Sequence, residues 1–216
     1  MTALVTGGTL RLGLAIARRL REDGWRVITS SHRPDAGADV VADLSDPMGP
    51  ARLYSQVMGL LGGVPPDALI NNAALFDNRE NVDEDTAAKI GNVNLIAPQK
   101  LTMLMAGRET EMGVVVNIID SAVLGDGEFK GPYLKSKRSL LEYTRKAAEM
   151  FSSTLRVNAV LPGPVFPPPG FSEKAAPTPL GRPSAEDVAS AVSFLLSAKS
   201  TTSCLIPVDG GACLEK

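Results

Sequence analysis

The residues of this sequence with the most evident chemistry are a tyrosine and a lysine four positions apart, Tyr133 and Lys137. They fall near the start of a predicted helix, with Pro132 in its first turn, where a missing N–H costs little. Residues four apart lie on one face of a helix. An ammonium beside a phenol favours the phenolate, so we expect the tyrosine pKa to be lowered toward neutrality. The pair predicts a general acid, although the same spacing is frequent by chance.

A glycine-rich turn lies at the other end of the chain, between a first predicted strand and a first predicted helix. Such a turn lets the backbone approach a pyrophosphate, and the helix N-terminus supplies free N–H groups. Glycines also serve as plain turns, but the position inside a strand–helix unit favours a dinucleotide site. The candidate contacts in this turn are Gly7, Thr9, Arg11, Leu12 and Gly13.

The residues after the second predicted strand select the cofactor. An acidic residue here suits the ribose 2′-hydroxyl of NAD, whereas an arginine suits the 2′-phosphate of NADP. The run is Ser31-His32-Arg33, and a guanidinium grips phosphate through two N–H groups. Asp35 is close, but we expect Pro34 to direct the chain away. The pattern predicts NADPH, with the histidine as a neighbour of the ribose; a solvated arginine is the alternative.

Strand and helix patterns alternate along the chain. This alternation predicts right-handed βαβ crossovers and a parallel sheet covered by helices on both faces. We expect one α/β domain, residues 1–216, with a doubly wound Rossmann-type sheet of about seven strands. The predicted strands cover 3–6, 25–30, 38–42, 67–70, 114–119, 154–162 and 204–208; the predicted helices cover 10–23, 48–62, 83–107, 132–151 and 184–197. A proline-rich loop is expected over 162–183.

The composition excludes several classes of protein. The 216 residues are 44% hydrophobic and 21% charged with a net charge of −2, which is ordinary for a soluble globular protein. No basic or acidic block indicates nucleic acid or a membrane surface. Cys204 and Cys213 form no metal-binding pattern, so we expect free thiols and no metal. No signal peptide or apolar run of about 20 residues is evident, and we expect a cytoplasmic protein.

The order of these and further motifs resembles that of the short-chain dehydrogenases/reductases over essentially the whole chain. The matches are TGGTLRLG, Asp43-Leu44, Asn71-Asn72-Ala73-Ala74, Asn94 in NLIAP, Tyr133-x-x-x-Lys137, Pro162-Gly163, PLGRPSAEDVA and VDGG at 208–211. The resemblance implies a homo-oligomer, a tetramer or a dimer.

The resemblance also implies the roles of these residues. Tyr133 would give the proton, Lys137 would hold the nicotinamide ribose, and Asn94 would anchor a water relay. Both Tyr133 and Lys137 would also contact the cofactor. The further cofactor contacts it implies are Asp43, Leu44, Asn72, Ala73, Ala74, Pro162 and Gly163.

Two departures from the family pattern narrow the activity. Arg11 replaces the third turn glycine, and Asp120 stands where the family has its active-site serine, 13 residues before the tyrosine. Together with the histidine and arginine after the second strand, these resemble pteridine reductases and dihydromonapterin reductases. In those enzymes an aromatic residue after the NNA motif stacks on the pterin, and Phe76 has the matching position. The resemblance implies that Arg11, Phe76, Asp120 and Tyr133 contact a pterin-like substrate.

A physical argument favours the same substrate. A serine hydroxyl donates to the oxygen of a ketone as charge builds there, whereas an ionised aspartate would repel that charge. Ring nitrogens and N–H groups of a pterin suit the carboxyl group of Asp120, which can accept hydrogen bonds or pass a proton, so we expect Asp120 to be a catalytic residue. The sequence therefore predicts an NADPH-dependent reductase that acts on the C=N bond of a dihydropterin or related pteridine.

Alternatives remain for the function and for single residues. The protein could instead be an NADPH-dependent carbonyl reductase of a small ketone or 3-ketoacyl substrate. A cofactor-binding regulator is a further alternative, but such a protein would be expected to lose Tyr133 or Lys137. Phe76 could be a core residue that anchors its loop, and Asp120 could simply tie down residues 121–131.

Overall fold

The computed structural model describes residues 1–77, 79–109, 111–125, 130–166 and 178–214. The strands are β1 (Thr2–Thr6), β2 (Arg26–Ser31), β3 (Val40–Val41), β4 (Ala68–Asn71), β5 (Gly113–Ile118), β6 (Leu155–Pro162) and β7 (Leu205–Val208). The α-helices are α1 (Arg11–Glu22), α2 (Gly49–Leu60), α3 (Glu84–Gly91), α4 (Ala97–Ala106), α5 (Gly131–Met150) and α6 (Ala185–Ser197).

The seven strands form one parallel sheet in the order β3-β2-β1-β4-β5-β6-β7. The strand order reverses between β1 and β4, which opens a crevice at the carboxyl ends of these strands. The predicted α/β fold with a doubly wound parallel sheet is confirmed. Its central strands read as continuous apolar runs because both of their faces are covered.

Alternate residues of the central strands fill two separate cores. Val5 and Ile70 pack with Ile16 and Leu20 of α1 and with α6 on one face. Leu4 lies one residue before Val5 and therefore packs on the opposite face, among residues of α2 and α4. Each fully buried leucine or isoleucine contributes about 1.5–3 kcal/mol through removal from water. The two cores hold the strand ends rigidly at the crevice.

The predicted helix over 83–107 is interrupted by a π-helical turn, Asn92–Ile96, that joins α3 to α4. Pro98 lies in the first turn of α4, two residues after the irregular turn. Proline has no N–H, so it cannot donate to the carbonyl of Asn94 four residues earlier. The sequence thus explains a break here, and the π-helical turn carries Asn94.

The described residues were searched for a membrane-spanning helix and for a metal site. Among the described residues, no helix is long and apolar enough to cross a membrane. The same residues contain no group of three or more histidine, cysteine, aspartate or glutamate side chains placed to hold a metal ion.

Candidate active site

A cleft of about 1200 Å³ opens at the carboxyl ends of the central strands. The residues that the sequence assigned to cofactor and substrate all line this cleft, including the turn after β1, Asp120 and the Tyr133–Lys137 pair. Asn94 is the exception among the predicted site residues, because it is fully buried behind the cleft wall. The strand order therefore brings together segments that are far apart in sequence.

The turn between β1 and α1 has the shape of a phosphate cradle. A Cβ atom on Gly7 would lie 3.1 Å from the Ala73 Cα, and one on Gly13 would lie 2.5 Å from Asn72 Nδ2. Neither position has room for a side chain, so α1 begins very close to β4. Leu10 provides no side-chain cap, and the first turn of α1 has no acidic residue. The N-terminal N–H groups of α1 are therefore suited to a pyrophosphate.

Asn72 holds this turn in place through its side chain. Its Nδ2 donates to the carbonyl oxygens of Thr6 and Gly7 at 2.9 and 3.1 Å. The Thr6 hydroxyl in turn accepts from the backbone N–H groups of Asn72 and Ala73, both at 3.0 Å. These bonds tie the end of β4 to the end of β1.

Ser31, His32 and Arg33 line the end of the cleft where the adenosine of the cofactor would lie, and Asp35 is not among the lining residues. Asp35 nevertheless stays in contact with Arg33. The guanidinium donates from Nε and Nη2 to the Asp35 carboxylate at 3.3 and 3.1 Å. The physical reason is local: Pro34 starts a short 3-10 turn, Pro34–Ala36, which returns the carboxylate to its neighbour two residues before.

Asp120, Tyr133 and Phe76 form a compact group beside the cleft. Asp120 lies two residues after β5, and its Oδ2 accepts a hydrogen bond from the Tyr133 hydroxyl at 3.0 Å. The Phe76 ring lies 4.8 Å from the Tyr133 ring, centroid to centroid, and is inclined by 75°. Phe76 is 54% exposed, which contradicts the alternative of a core residue.

Asp120 also stabilises its own loop. Its Oδ1 accepts from the backbone N–H of Ala122 at 2.9 Å and so begins the 3-10 turn Ser121–Leu124. The carboxylate therefore has two functions that the sequence analysis treated as alternatives: it ties down the loop and it contacts the tyrosine.

The expected lowering of the Tyr133 pKa is wrong for this arrangement. Burial raises the pKa of Tyr133 strongly, and the negative charge of Asp120 and its hydrogen bond raise it further. The Lys137 ammonium lies 5.9 Å from the ring centroid and donates instead to the Ile118 carbonyl at 2.9 Å. Burial lowers the pKa of Lys137 to about 8, against the opposing effect of Asp120. Tyr133 is therefore held in its protonated form.

Asn94 supports the group of Asp120, Tyr133 and Phe76 from behind. Its Nδ2 donates to the Leu75 carbonyl and to Ser136 Oγ at 3.0 and 3.1 Å, and its Oδ1 accepts from the Leu75 N–H at 2.8 Å. Ser136 donates to the Tyr133 carbonyl at 2.6 Å. Asn94 thus fixes the backbone next to Phe76 and the first turn of α5 together. The water relay implied for Asn94 stays a prediction.

Comparison with known proteins identifies the family. The family model described as enoyl-(acyl carrier protein) reductase matches residues 11–213. A relative is dehydrogenase/reductase SDR family member 4 of Rattus norvegicus, 33% identical over 90% of this chain and 80% of the relative. This chain belongs to the short-chain dehydrogenases/reductases, a family of oxidoreductases.

Two solved structures have nearly the same fold as this short-chain dehydrogenase/reductase. The first is FolM alternative dihydrofolate reductase 1 from Brucella canis in complex with NADP, with a TM-score of 0.87 and 31% identity over 100% of this chain and 95% of that one. The second is a protein described as a putative betaketoacyl-ACP reductase, with a TM-score of 0.84 and 29% identity over 99% and 98% of the two chains.

The structure of this short-chain dehydrogenase/reductase includes cleft residues that the sequence analysis missed. Phe166 lies four residues after Pro162, and the Arg11 guanidinium carbon lies 5.0 Å from the centroid of its ring. An aromatic residue shortly after the Pro-Gly turn was the available signal. Cys213 also lines the cleft, held by a bond from its N–H to Asp209 at 2.9 Å. The central part of the predicted proline-rich loop, 167–177, is outside the described residues.

Proposed function

We propose that this chain is an NADPH-dependent reductase of a dihydropterin or related pteridine, which reduces a C=N bond. The observation that carries the proposal is the hydrogen bond from Tyr133 to Asp120 beside the exposed ring of Phe76. A tyrosine, a carboxylate and an aromatic ring at one end of a dinucleotide cleft suit a flat, nitrogen-rich heterocycle. The likeness to an alternative dihydrofolate reductase supports the same substrate class.

The residues of the cleft fit NADPH. A pyrophosphate would lie at the N-terminus of α1, where Thr9, Leu10 and Arg11 line the cleft. Gly7 and Gly13 let this turn pack tightly against Asn72 and Ala73. Arg33 lines the cleft where a 2′-phosphate would lie, and Asp43 lies at the same end. The related FolM structure contains NADP. When bound, NADPH supplies the hydride.

Tyr133 supplies the proton for the substrate nitrogen. Because its pKa is raised, the phenol stays protonated through the physiological pH range. Hydride addition to the carbon of a C=N bond leaves a basic nitrogen, which then takes the phenolic proton, and solvent returns a proton to the tyrosine. The Lys137 ammonium, which is charged below a pH of about 8, favours the transient phenolate.

Asp120 selects the heterocycle over a ketone. Each carboxylate oxygen keeps a lone pair beyond its bond to Tyr133 or Ala122, so the group can accept from the N–H groups of a pterin. It repels the developing oxyanion of a ketone. The neighbouring Ser121 stands one residue away from the position of the missing family serine, and its side chain is buried, so it does not replace that serine.

A carbonyl reductase of a 3-ketoacyl substrate is the second candidate. It is favoured by the apolar part of the cleft, where Leu75, Val165 and Phe166 contribute side chains. The family model and one solved neighbour are also described as reductases of acyl carrier protein substrates.

A substrate panel tests the proposal. NADPH oxidation is measured with dihydropterins, dihydrofolate, quinones and acetoacetyl thioesters, each with the wild type and with Tyr133→Phe. We expect the wild type to turn over a dihydropterin and the Tyr133→Phe variant to lose this turnover. Turnover confined to acetoacetyl thioesters would replace the pteridine assignment with the second candidate. The homo-oligomeric state and the cytoplasmic location stay predictions.

A further inference from the structure

The adenosine end of the cleft contains an acidic side chain beside the arginine that would bind a phosphate. Arg33 lines the cleft, whereas Asp35 lies on its outer side. A guanidinium carries five N–H groups in a rigid fork, and Asp35 takes two of them, on Nε and Nη2. The others can still reach a 2′-phosphate. Arg33 would then lie between two anions.

We infer that Asp35 sets the degree of discrimination between NADPH and NADH by partly neutralising Arg33 and repelling the 2′-phosphate. The inference rests on the proposed NADPH site and concerns how strongly that site selects its coenzyme. The Arg33 guanidinium also holds the pKa of Asp35 below its usual value, so the carboxylate is charged at neutral pH.

The opposite role, in which Asp35 orients Arg33 for the phosphate, has weaker support. The side chains of Arg33 and Asp35 are 51% and 72% exposed, and exposed ion pairs hold their geometry weakly. The Arg33 N–H donates to Ser31 Oγ at 3.1 Å, which fixes the backbone and leaves the guanidinium to its pair with Asp35. Because that exposed pair is weak, it orients the guanidinium little, whereas the charge of Asp35 acts on any phosphate that Arg33 binds.

The test compares the dissociation constants of NADPH and NADH at low and high ionic strength by fluorescence titration. Removing the charge with Asp35→Asn should raise the preference for NADPH by about two- to fivefold at low salt, the size of an exposed ion-pair effect. The gain should shrink in high salt, because exposed charges are screened. Asp35→Glu keeps the charge and should resemble the wild type.

Glu142→Gln is the matched control. Glu142 also forms an exposed pair with an arginine, Arg138, but on α5 and outside the cleft lining. It changes the net charge by the same amount as Asp35→Asn and should leave the coenzyme preference unchanged.

The possible failures are distinguishable. A wild type with equal affinity for NADPH and NADH overturns the proposed cofactor, and the inference falls with it. If the wild type prefers NADPH and Asp35→Asn leaves that preference unchanged or lowers it, only the role of Asp35 is overturned. An equal gain in Glu142→Gln does the same, because it would assign the effect to net charge.

Discussion

Replacing Asp120 with serine separates the chemistry of this carboxylate from its structural function. Serine caps a helical turn about as well as aspartate, so the hydroxyl can still accept from the Ala122 N–H, and we expect little change in stability. The carboxylate that would accept from a pterin N–H group is lost, together with its bond from Tyr133. A hydrogen bond to a charged group contributes about 1.5–3 kcal/mol, so losing the bond to the pterin in the transition state corresponds to a loss of about 10- to 150-fold in dihydropterin turnover.

The assay is NADPH oxidation with a dihydropterin and with an acetoacetyl thioester, beside a thermal melt of each variant. Turnover of the thioester should be equal to the wild type or higher, because a serine hydroxyl can donate to an oxyanion. Asp83→Ser is the control, since Asp83 caps α3 in the same manner, by accepting from the Thr86 N–H at 2.8 Å. Full dihydropterin turnover in Asp120→Ser would refute the assigned role of the carboxylate.

Four further predictions follow from the same geometry. Arg33→Ala should raise the dissociation constant of NADPH by about tenfold and leave that of NADH nearly unchanged in the same titration. Tenfold is the low end for a charged contact, because the Arg33 side chain is half exposed. Phe76→Ala should raise the KM for the pterin without lowering the melting temperature, whereas a large loss of stability would contradict the stacking role. Tyr133→Phe should reduce kcat by roughly 10²–10⁴ with cofactor affinity retained, and normal turnover would exclude this residue as the proton donor. Burial lowers the pKa of Lys137 to about 8, so the ammonium is lost as the pH rises through that value. We therefore expect kcat/KM for NADPH to fall above pH 8. A flat pH profile up to about pH 9 would argue against a required ammonium.

The fold could be predicted because each buried parallel strand is an apolar run between turn residues. The boundaries of the strands were harder to predict. Residues 38–42 were predicted as a strand, but β3 pairs only over Val40–Val41. Asp39 explains the late start: its carboxylate accepts from both the N–H and the hydroxyl of Thr29 at 2.7 Å. A side chain here takes the donor that a strand backbone would use, and no periodicity reports such a bond.

The positions of the site residues could be predicted from the sequence for a similar reason. Residues that follow parallel strands meet at one edge of the sheet, so Asp120 and the turn after β1 had to share a cleft. The charges and contacts within the cleft could not be predicted from the sequence. The pKa of Tyr133 depends on its burial and on its distance from Asp120, and the contact between Arg33 and Asp35 depends on a single tight turn. Sequence spacing determines neither quantity.

The outermost strands of the sheet have a consequence for aggregation. Ala159 and Gly163 of the β6 segment donate to the carbonyls of Cys204 and Val208, so the intervening Pro207 of β7 faces away from the sheet. Proline offers no N–H to an incoming strand, and the opposite edge, β3, is two residues long. Both borders are therefore poor templates for strand addition, and edge-to-edge joining of newly made chains is disfavoured there.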